Sequence, residues 1–339
     1  MGKSFIRFSW ITLVFILLVT LAGSVVRTTG SGMGCPDWPT CFDKIIPPTS
    51  ADELPTGYQE KYIEYRKKKV EKFANVLSVF GFQEIATVLL NDPELVKEET
   101  FNPTKTWIEY VNRLCGFVAG NLVLITLIWV FFKYRQNKKL ILLSLLNLIL
   151  IGFEGWFGSI VVATNLVPWT ITLHMLLALI IIIIQLKIIS IAQQKSNPLT
   201  IDSRFKWLFY SSIALTFIQI ILGSQVRQEV DFMVKDSMER SSWIASMSGD
   251  FLFHRSFSWV LLVVNISLFW LNRKFNYGIR AFNYILLILI VEFITGILFS
   301  YAEMPAFSQP VHFIMAVSLL VVQLHNLHYF KKHRHSLIS

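Results

Sequence analysis

Eight long apolar runs constrain the fold of this chain more than any other feature of its sequence. Each has the roughly 20 residues that a helix needs to cross a bilayer, where a helix satisfies its own backbone hydrogen bonds. The predicted spans are residues 5–26, 107–132, 140–163, 169–191, 206–226, 249–271, 280–300 and 309–330. With 54% hydrophobic residues and a mean hydropathy of +0.54, the sequence predicts an all-α membrane protein with eight transmembrane helices.

The apolar runs form two related halves. Four residues recur with the same identity 138 positions later: Glu154, Gly158, His174 and Ala178 become Glu292, Gly296, His312 and Ala316. The segment 23–27 recurs as 223–227, and Asn112-Arg113 recurs as His254-Arg255. Ionisable residues inside membrane spans are rare and usually functional. We therefore predict two homologous halves of four spans each, residues 1–195 and 196–339.

Positive charge marks one side of the predicted membrane protein. Lys and Arg cluster in the loops after spans two, four and six and beyond span eight, whereas the loops 164–168 and 301–308 contain neither. By the positive-inside rule, both termini are cytoplasmic and the loop 27–106 lies outside. This pattern accounts for the net charge of +9, so no nucleic-acid partner is predicted. The first span is too long for a signal-peptide core, and no transit peptide precedes it, which favours a bacterial cytoplasmic membrane.

The outer loop of the first half contains an insertion. Asn112 follows Arg27 by 85 residues, whereas His254 follows Arg227 by only 27. The segment 61–72 within it is rich in Lys and Glu and predicts a solvated helix. The sequence gives this insertion no role.

Four residues share one depth near the outer surface: Asn112, His174, His254 and His312. Each lies three to six residues into a span that begins outside, which places it about 5–9 Å below the surface. His254 and His312 on neighbouring helices could clamp a flat cofactor such as haem between two imidazoles. The alternative is that these histidines only make hydrogen bonds between helices.

Charged residues surround these positions. Four arginines cluster at the outer helix ends: Arg27, Arg113, Arg227 and Arg255. They could bind haem propionates or extend towards the interface. Glu109 shares a helical face with Asn112 and could be an acid, a base or a solvated carboxylate. For the deeper Glu154 and Glu292, a structural pairing between helices is favoured over proton movement.

Cys35 and Cys41 flank a five-residue segment in the outer loop. An oxidising compartment and this close spacing predict a disulfide, and a redox role stays open because so short a loop adds little loop-closure stability. A zinc site is disfavoured, since no nearby His or further Cys completes it.

The sequence resembles the haem A synthase family. The resemblance covers all eight spans but not the insertion at about 50–100, and six motifs carry it: AGSVVRTTGSGMGCPDWPTC (22–41), EYVNRLCG (109–116), GWFGSIVVATNLVPWTITLH (155–174), GSQVRQEVD (223–231), FHRSFSW (253–259) and QPVHFIMA (309–316). It implies two pseudo-symmetric four-helix bundles and oxidation of a haem O ring methyl to a formyl group, which makes haem A for cytochrome oxidase.

The resemblance also assigns the sites. It implies that His254 and His312 hold haem b in the second half, and that His174 and Glu109 serve a substrate-haem site in the first. The family usually has His at the position of Asn112, so this chain departs from two-His ligation there. A haem O donor enzyme and cytochrome oxidase assembly factors are the expected partners, together with membrane lipid. Homo-oligomerisation and the electron acceptor stay open.

Two other classes of function compete with this interpretation. A quinol-linked dihaem b-type electron carrier would keep strong ligands in both halves, but Asn112 stands where the second half has His254, and Glu109 also argues against a carrier. A transporter is usually built from inverted repeats, but halves with four spans each share one orientation.

Overall fold

The computed structural model describes residues 1–93, 100–164, 167–193 and 201–330, and within these ranges the protein is helical. In chain order the helices are α1 (Lys3–Thr28), α2 (Tyr58–Val79), α3 (Gln83–Leu90), α4 (Pro103–Lys133), α5 (Lys138–Ala163), α6 (Pro168–Gln193), α7 (Ser203–Lys235), α8 (Trp243–Ser246), α9 (Gly249–Lys274), α10 (Ala281–Tyr301) and α11 (Ser308–His325). Eight of them are long and apolar enough to cross a membrane, namely α1, α4 to α7 and α9 to α11. The predicted all-α membrane fold is confirmed. The predicted boundary at residue 195 falls outside the described residues.

Side-chain caps fix where several spans begin. The cap residues accept a hydrogen bond from a backbone N–H of the first turn and are Asn102, Asn137, Asp202 and Ser248. These polar residues satisfy N–H groups that have no partner inside the helix. Because α4 begins at Pro103 and α9 at Gly249, Asn112 and His254 both lie within the first three turns of their helices.

Helix α7 is longer than the sequence predicted. The apolar run ends near residue 226, but α7 continues to Lys235. Val226, Val230 and Met233 repeat at helical spacing and are buried. They form a cluster with Trp243, Phe251 and Met304. Packing of this one face extends the helix through a segment that hydropathy alone would end.

The contacts divide the chain into two compact units. The first comprises residues 1–13 and 182–339, and the second comprises residues 14–181, so the divisions fall inside α1 and α6. In the unit that contains residues 182–339, which includes the second half, the helices α7, α9, α10 and α11 pack in a closed cycle. Helix α7 packs on α9, α9 on α10, α10 on α11 and α11 on α7. The core of this unit includes stacked Phe209 and Phe330, with ring centroids 4.5 Å apart.

The unit of residues 14–181 contains the insertion. Helix α4 packs on α5, and α2 packs on both α3 and α5. The predicted solvated helix is α2, which is longer than predicted and has one buried face formed by Tyr62, Arg66, Val70, Phe73 and Ala74. The sequence analysis missed this buried face because its apolar residues are separated by lysines and glutamates along the sequence.

Helix α2 is also fastened to the loop that contains the two cysteines. The ring of Phe42 makes edge contacts with those of Tyr58 and Tyr62, at 5.8 and 5.5 Å. The Tyr62 hydroxyl donates to Asp43 at 3.1 Å, and Lys61 forms an ion pair with the same carboxylate. The hydrogen bond from Lys61 lowers the pKa of Asp43. The insertion and the cysteine loop therefore form one packed structure.

Candidate functional site

The structure brings the imidazole rings of His254 of α9 and His312 of α11 together inside the second half. Their ring centroids are 6.4 Å apart and their planes are inclined by 73°. Gly223 of α7 makes room for the first ring, since a Cβ at this glycine would lie 3.2 Å from Cε1 of His254. The two imidazoles predicted from their common depth are thus neighbours, and the helices α7, α9 and α11 position them.

A carboxylate and a hydroxyl hold the ring of His312. Its Nδ1 lies 2.8 Å from Glu292 Oε2 and 2.7 Å from Thr295 Oγ1. Both partners are on α10, and Phe299 of the same helix meets the ring edge-on at 5.0 Å. With Nδ1 occupied, Nε2 is the nitrogen of His312 left for an external ligand. Glu292 thus takes the structural pairing that the sequence analysis favoured for it.

The first half repeats this arrangement around His174. Nδ1 of His174 on α6 lies 3.0 Å from Glu154 Oε1 on α5. A Cβ at Gly158 would lie 3.2 Å from Cε1 of this His. The residues that recur after 138 positions therefore bring a carboxylate close to an imidazole nitrogen in both halves, at 3.0 and 2.8 Å, but among the described residues Nδ1 of His174 has no hydrogen-bond partner. The repeat found in the sequence is a repeat of geometry.

Asn112 occupies the position that His254 has in the second half. A Cβ at Gly23 of α1 would lie 3.9 Å from its Oδ1. This oxygen is buried and has no hydrogen-bond partner among the described residues. A buried acceptor without a donor is costly unless water or a ligand supplies one. The geometry thus leaves a polar acceptor available at the place where the family usually has a His.

Glu109 is turned towards the cysteine loop. It is 2% exposed, and its Oε2 accepts a hydrogen bond from the Cys35 backbone N–H at 2.8 Å. Its Oε1 pairs with Arg113, one turn further along α4. The sequence predicted an acid or base; the structure gives both oxygens protein partners, and the catalytic role stays a prediction.

Arg113 fastens the same loop to α4. Besides Glu109, its guanidinium donates to the carbonyl oxygens of Cys35, Asp37 and Thr40. Cys35 and Cys41 form the predicted disulfide, with an S–S distance of 2.01 Å. The guanidinium that was expected to bind a propionate therefore already binds backbone carbonyls of the disulfide loop.

The other predicted arginines have different surroundings. Arg227 pairs with Asp231 at 2.9 Å and donates to Gln309. Arg255 is exposed, and its guanidinium carbon lies 5.7 Å from the ring centre of Phe251. Arg27 lies in the last turn of α1. Of the four, Arg255 keeps the most accessible guanidinium, and propionate binding by each of them stays a prediction.

Two features escaped the sequence analysis. Thr295 contacts His312, but the equivalent residue of the first half is Phe157, so the repeat gave no signal. Gln185 and Gln323 are also 138 positions apart and fully buried. The first donates to the Ser9 carbonyl and the second to the Ser212 hydroxyl, at 2.9 and 2.8 Å. The offset already known from the histidines could have identified this pair.

Comparison with known proteins agrees with this architecture. A family model described as cytochrome oxidase assembly protein, COX15-CtaA, matches residues 6–85 and 96–324. The heme A synthase of Ehrlichia canis (strain Jake) is 26% identical over 339 residues, which cover 93% of this chain and 90% of the relative. That of Halalkalibacterium halodurans is 22% identical over 311 residues, covering 88% and 87%. That of Shewanella oneidensis is 30% identical over 166 residues, but these cover only 49% of this chain and 39% of the relative.

Proposed function

This chain belongs to the COX15-CtaA family of cytochrome oxidase assembly proteins, and we propose that it is a haem A synthase. In this proposal it oxidises a ring methyl group of haem O to the formyl group of haem A. The observation that carries the proposal is the carboxylate–imidazole pair present in both halves, with a second imidazole in only one of them. Relatives named heme A synthase that align along most of the chain support it.

The second half fits a resident haem b. An imidazole nitrogen binds a first-row metal at about 2 Å, and the ring centre lies about 1 Å further away. The ring centres of His254 and His312 are 6.4 Å apart, so both imidazoles could bind one metal ion placed between them. Haem with two such ligands supplies one-electron redox chemistry. We assign His254 and His312 as its ligands.

Glu292 and Thr295 position the ligand rather than bind the metal. Ligating histidines usually give their second nitrogen to a carboxylate or carbonyl, which fixes the tautomer and makes the ligand more basic. The contacts at Nδ1 of His312 have this form. Glu154 lies at the matching place in the first half, 3.0 Å from Nδ1 of His174, and we assign His174 as the strong ligand for the substrate haem there.

In this scheme Glu109 positions the disulfide loop and is also the candidate acid or base of the first half. Its carboxylate and Arg113 hold the disulfide loop against α4, close in sequence to Asn112. Proton transfer at Glu109 requires that one of its two partners be released. We retain it as the candidate acid or base of the first half, because it is a buried carboxylate three residues from the substrate-site position.

The protein is a multi-pass membrane protein, and the charge pattern supports an orientation with both termini in the cytoplasm. The described sites then lie towards the outer side, where an oxidising compartment also suits the disulfide. We further propose that a haem O donor enzyme and cytochrome oxidase assembly factors are partners of this chain, as in the family it resembles.

Expression in a host that makes haem O but no haem A tests the proposed activity. Haem extracted from membranes should contain haem A when the parent protein is present and none when His174→Ala is expressed to the same level. Purified parent protein should also contain haem b with a low-spin spectrum, which His254→Ala and His312→Ala should each remove. Haem b without any haem A would contradict the synthase and favour a dihaem electron carrier.

A further inference from the structure

The hairpin of α2 and α3 exposes an apolar tip formed by Val79, Phe80, Phe82, Ile85 and Val88. Val79 is 84% exposed, Phe80 74% and Val88 71%. From residue 76 to residue 90 the sequence contains one charged residue, Glu84. Soluble surfaces seldom keep several large apolar side chains together without a partner. The tip therefore needs an apolar surface to cover it.

The hairpin is attached where a membrane span ends. Val70, Phe73 and Leu89 of the hairpin are buried in one cluster with Phe157, Ile160, Val161 and Ala163 of α5. Phe157 lies six residues before the C-terminal end of α5 at Ala163, which at 1.5 Å per residue is about 9 Å along the helix. The hairpin thus packs against the part of the span that crosses the headgroup region.

The surface of α5 beside the hairpin exposes aromatic side chains. Phe153 and Trp156 of α5 are exposed within a helix that is long and apolar enough to span the membrane. Phe153 stacks on Phe157, with centroids 6.0 Å apart and planes inclined by 6°, and Phe73 meets Phe157 at 6.5 Å. An aromatic row therefore leads from the exposed side of α5 to the hairpin.

The charges of α2 agree with a position at the membrane surface. Its exposed charged residues all precede the tip; they are the lysines Lys61, Lys67, Lys68 and Lys72 and the glutamates Glu60, Glu64 and Glu71, so lysines are in the majority. Helices that lie in the membrane interface combine a basic polar face with an apolar face rich in Phe and Leu. We propose that the tip of the α2–α3 hairpin inserts into the lipid leaflet at the C-terminal end of α5, while the lysine-rich part of α2 stays in water.

This insertion would anchor one side of the His174 site. Phe157 lies between the hairpin and the site, with its ring centre 6.1 Å from that of His174. The aromatic residues Phe73 and Phe157 thus connect the membrane anchor to the imidazole in two contacts. The insertion, for which the sequence indicated no role, would thus connect the bilayer to the His174 site.

Spin labels on the full-length protein in nanodiscs of phosphatidylcholine and phosphatidylglycerol test the proposal. The chain already has ten tryptophans, so a label is preferable to tryptophan fluorescence. In a Cys115→Ala background, one label is placed at Phe80→Cys or Val88→Cys in the tip, and the control label at Lys68→Cys on the exposed face of the same hairpin. Mass analysis under non-reducing conditions verifies that Cys35 and Cys41 remain paired.

Labels at positions 80 and 88 should relax faster with oxygen than with the water-soluble nickel reagent NiEDDA, and the label at 68 should show the reverse. Equal access of NiEDDA to all three positions would overturn the proposal and leave the tip as a surface for another protein. The variant Val79→Ser/Phe80→Ser/Val88→Ser provides a second measurement, because it should raise NiEDDA access at a label on Ile85→Cys. An unchanged value there would also contradict insertion.

Discussion

Two glycines determine how closely neighbouring helices approach the imidazoles of His254 and His174. His254 lies over Gly223 and His174 over Gly158, in each case with ring atoms where a Cβ would come within 3.2 Å. Such a distance forces the neighbouring ring to move by a few tenths of an ångström. The position of a ligand nitrogen is therefore set by a residue on another helix that has no chemistry of its own.

We expect Gly223→Ala to displace His254 and weaken its bond to the haem iron. The low-spin spectrum of the purified protein should be partly replaced by a high-spin one, and haem should be lost more readily. Changes to residues that orient a metal ligand typically cost 10- to 100-fold in metal affinity or activity. Optical and electron paramagnetic resonance spectra of the purified protein measure both effects.

The matched control for this change is Gly249→Ala. Gly249 lies on the same helix as His254, and a Cβ there meets no atom within 4 Å. Gly223 lies inside α7 and Gly249 is the first residue of α9, so the gain in helix propensity is larger at Gly223 and would favour a stable Gly223→Ala protein. Identical spectra for the two variants would show that the close approach of Gly223 has no influence on the ligand.

For single residues, the sequence predicted which residues form the site better than it predicted which groups they contact. The repeat and the common depth identified His254 and His312, because intramembrane ionisable residues are conspicuous in an apolar chain. The sequence could not predict that Arg113 binds carbonyl oxygens of the loop, because backbone acceptors have no sequence signature. Thr295 was missed for a related reason: a hydroxyl inside an apolar helix usually bonds its own backbone, and nothing distinguishes the one that also reaches an imidazole.

The loop between Cys35 and Cys41 is an element held from two sides. The disulfide closes it, and Arg113 and Glu109 tie its backbone to α4. Removing one member of a buried ion pair leaves an uncompensated charge, which costs about 3–5 kcal/mol. The loop should therefore depend more on Arg113 than on any surface contact.

We predict that Arg113→Met releases the loop and exposes its disulfide. A loss of about 3 kcal/mol corresponds to roughly a hundredfold change in an opening equilibrium, so the rate at which a phosphine reduces Cys35–Cys41 should rise by up to that factor. Adding Glu109→Gln to Arg113→Met should recover part of the loss, since it removes the stranded charge.

Arg255→Met is the control for this experiment. Arg255 is the counterpart of Arg113 in the second half, but it is exposed beside Phe251. The Arg255→Met variant should leave the rate of reduction of the Cys35–Cys41 disulfide unchanged. An equal rate for Arg113→Met and the parent protein would contradict the proposed fastening of the loop.

Spans were easier to predict than the elements outside the membrane. Hydropathy located all eight because lipid demands about 20 apolar residues for each. Outside the membrane, water competes for every polar group, and packing of a few apolar residues decides the outcome. The outer turns of α7 and the buried face of α2 are two such cases, since both consist of apolar residues separated by charged ones.

The two halves of the molecule share a plan and differ at single positions. Both have a carboxylate–imidazole pair at matching places. Where the second half has His254 the first has Asn112, and where the second has Thr295 the first has Phe157, which also contacts the hairpin. The duplication explains the common geometry, and these substitutions give one half a closed pair of imidazoles and the other a single one. A carrier of electrons would have no evident use for this asymmetry.

The difference at Asn112 leads to the last prediction. An Asn side chain offers an amide oxygen and an NH2 group, neither of which competes with imidazole for iron. Its Oδ1 is buried without a donor, as expected for a residue that faces a site filled by water or substrate. The iron of a haem in the first half should then be held by His174 alone or with a weak ligand such as water. It should be more accessible than the iron held between His254 and His312.

Carbon monoxide binding to the reduced, haem-loaded protein measures this accessibility. One haem of the parent protein should bind carbon monoxide, and the other, ligated by two imidazoles, should not. Asn112→His should abolish or slow the binding by supplying a second imidazole, whereas Asn112→Gln keeps an amide and should leave the binding in place. His254→Ala should open the second haem as well, which identifies the closed site. If neither haem of the parent protein binds carbon monoxide, a strong second ligand is present in the first half and the open-site interpretation of Asn112 is wrong.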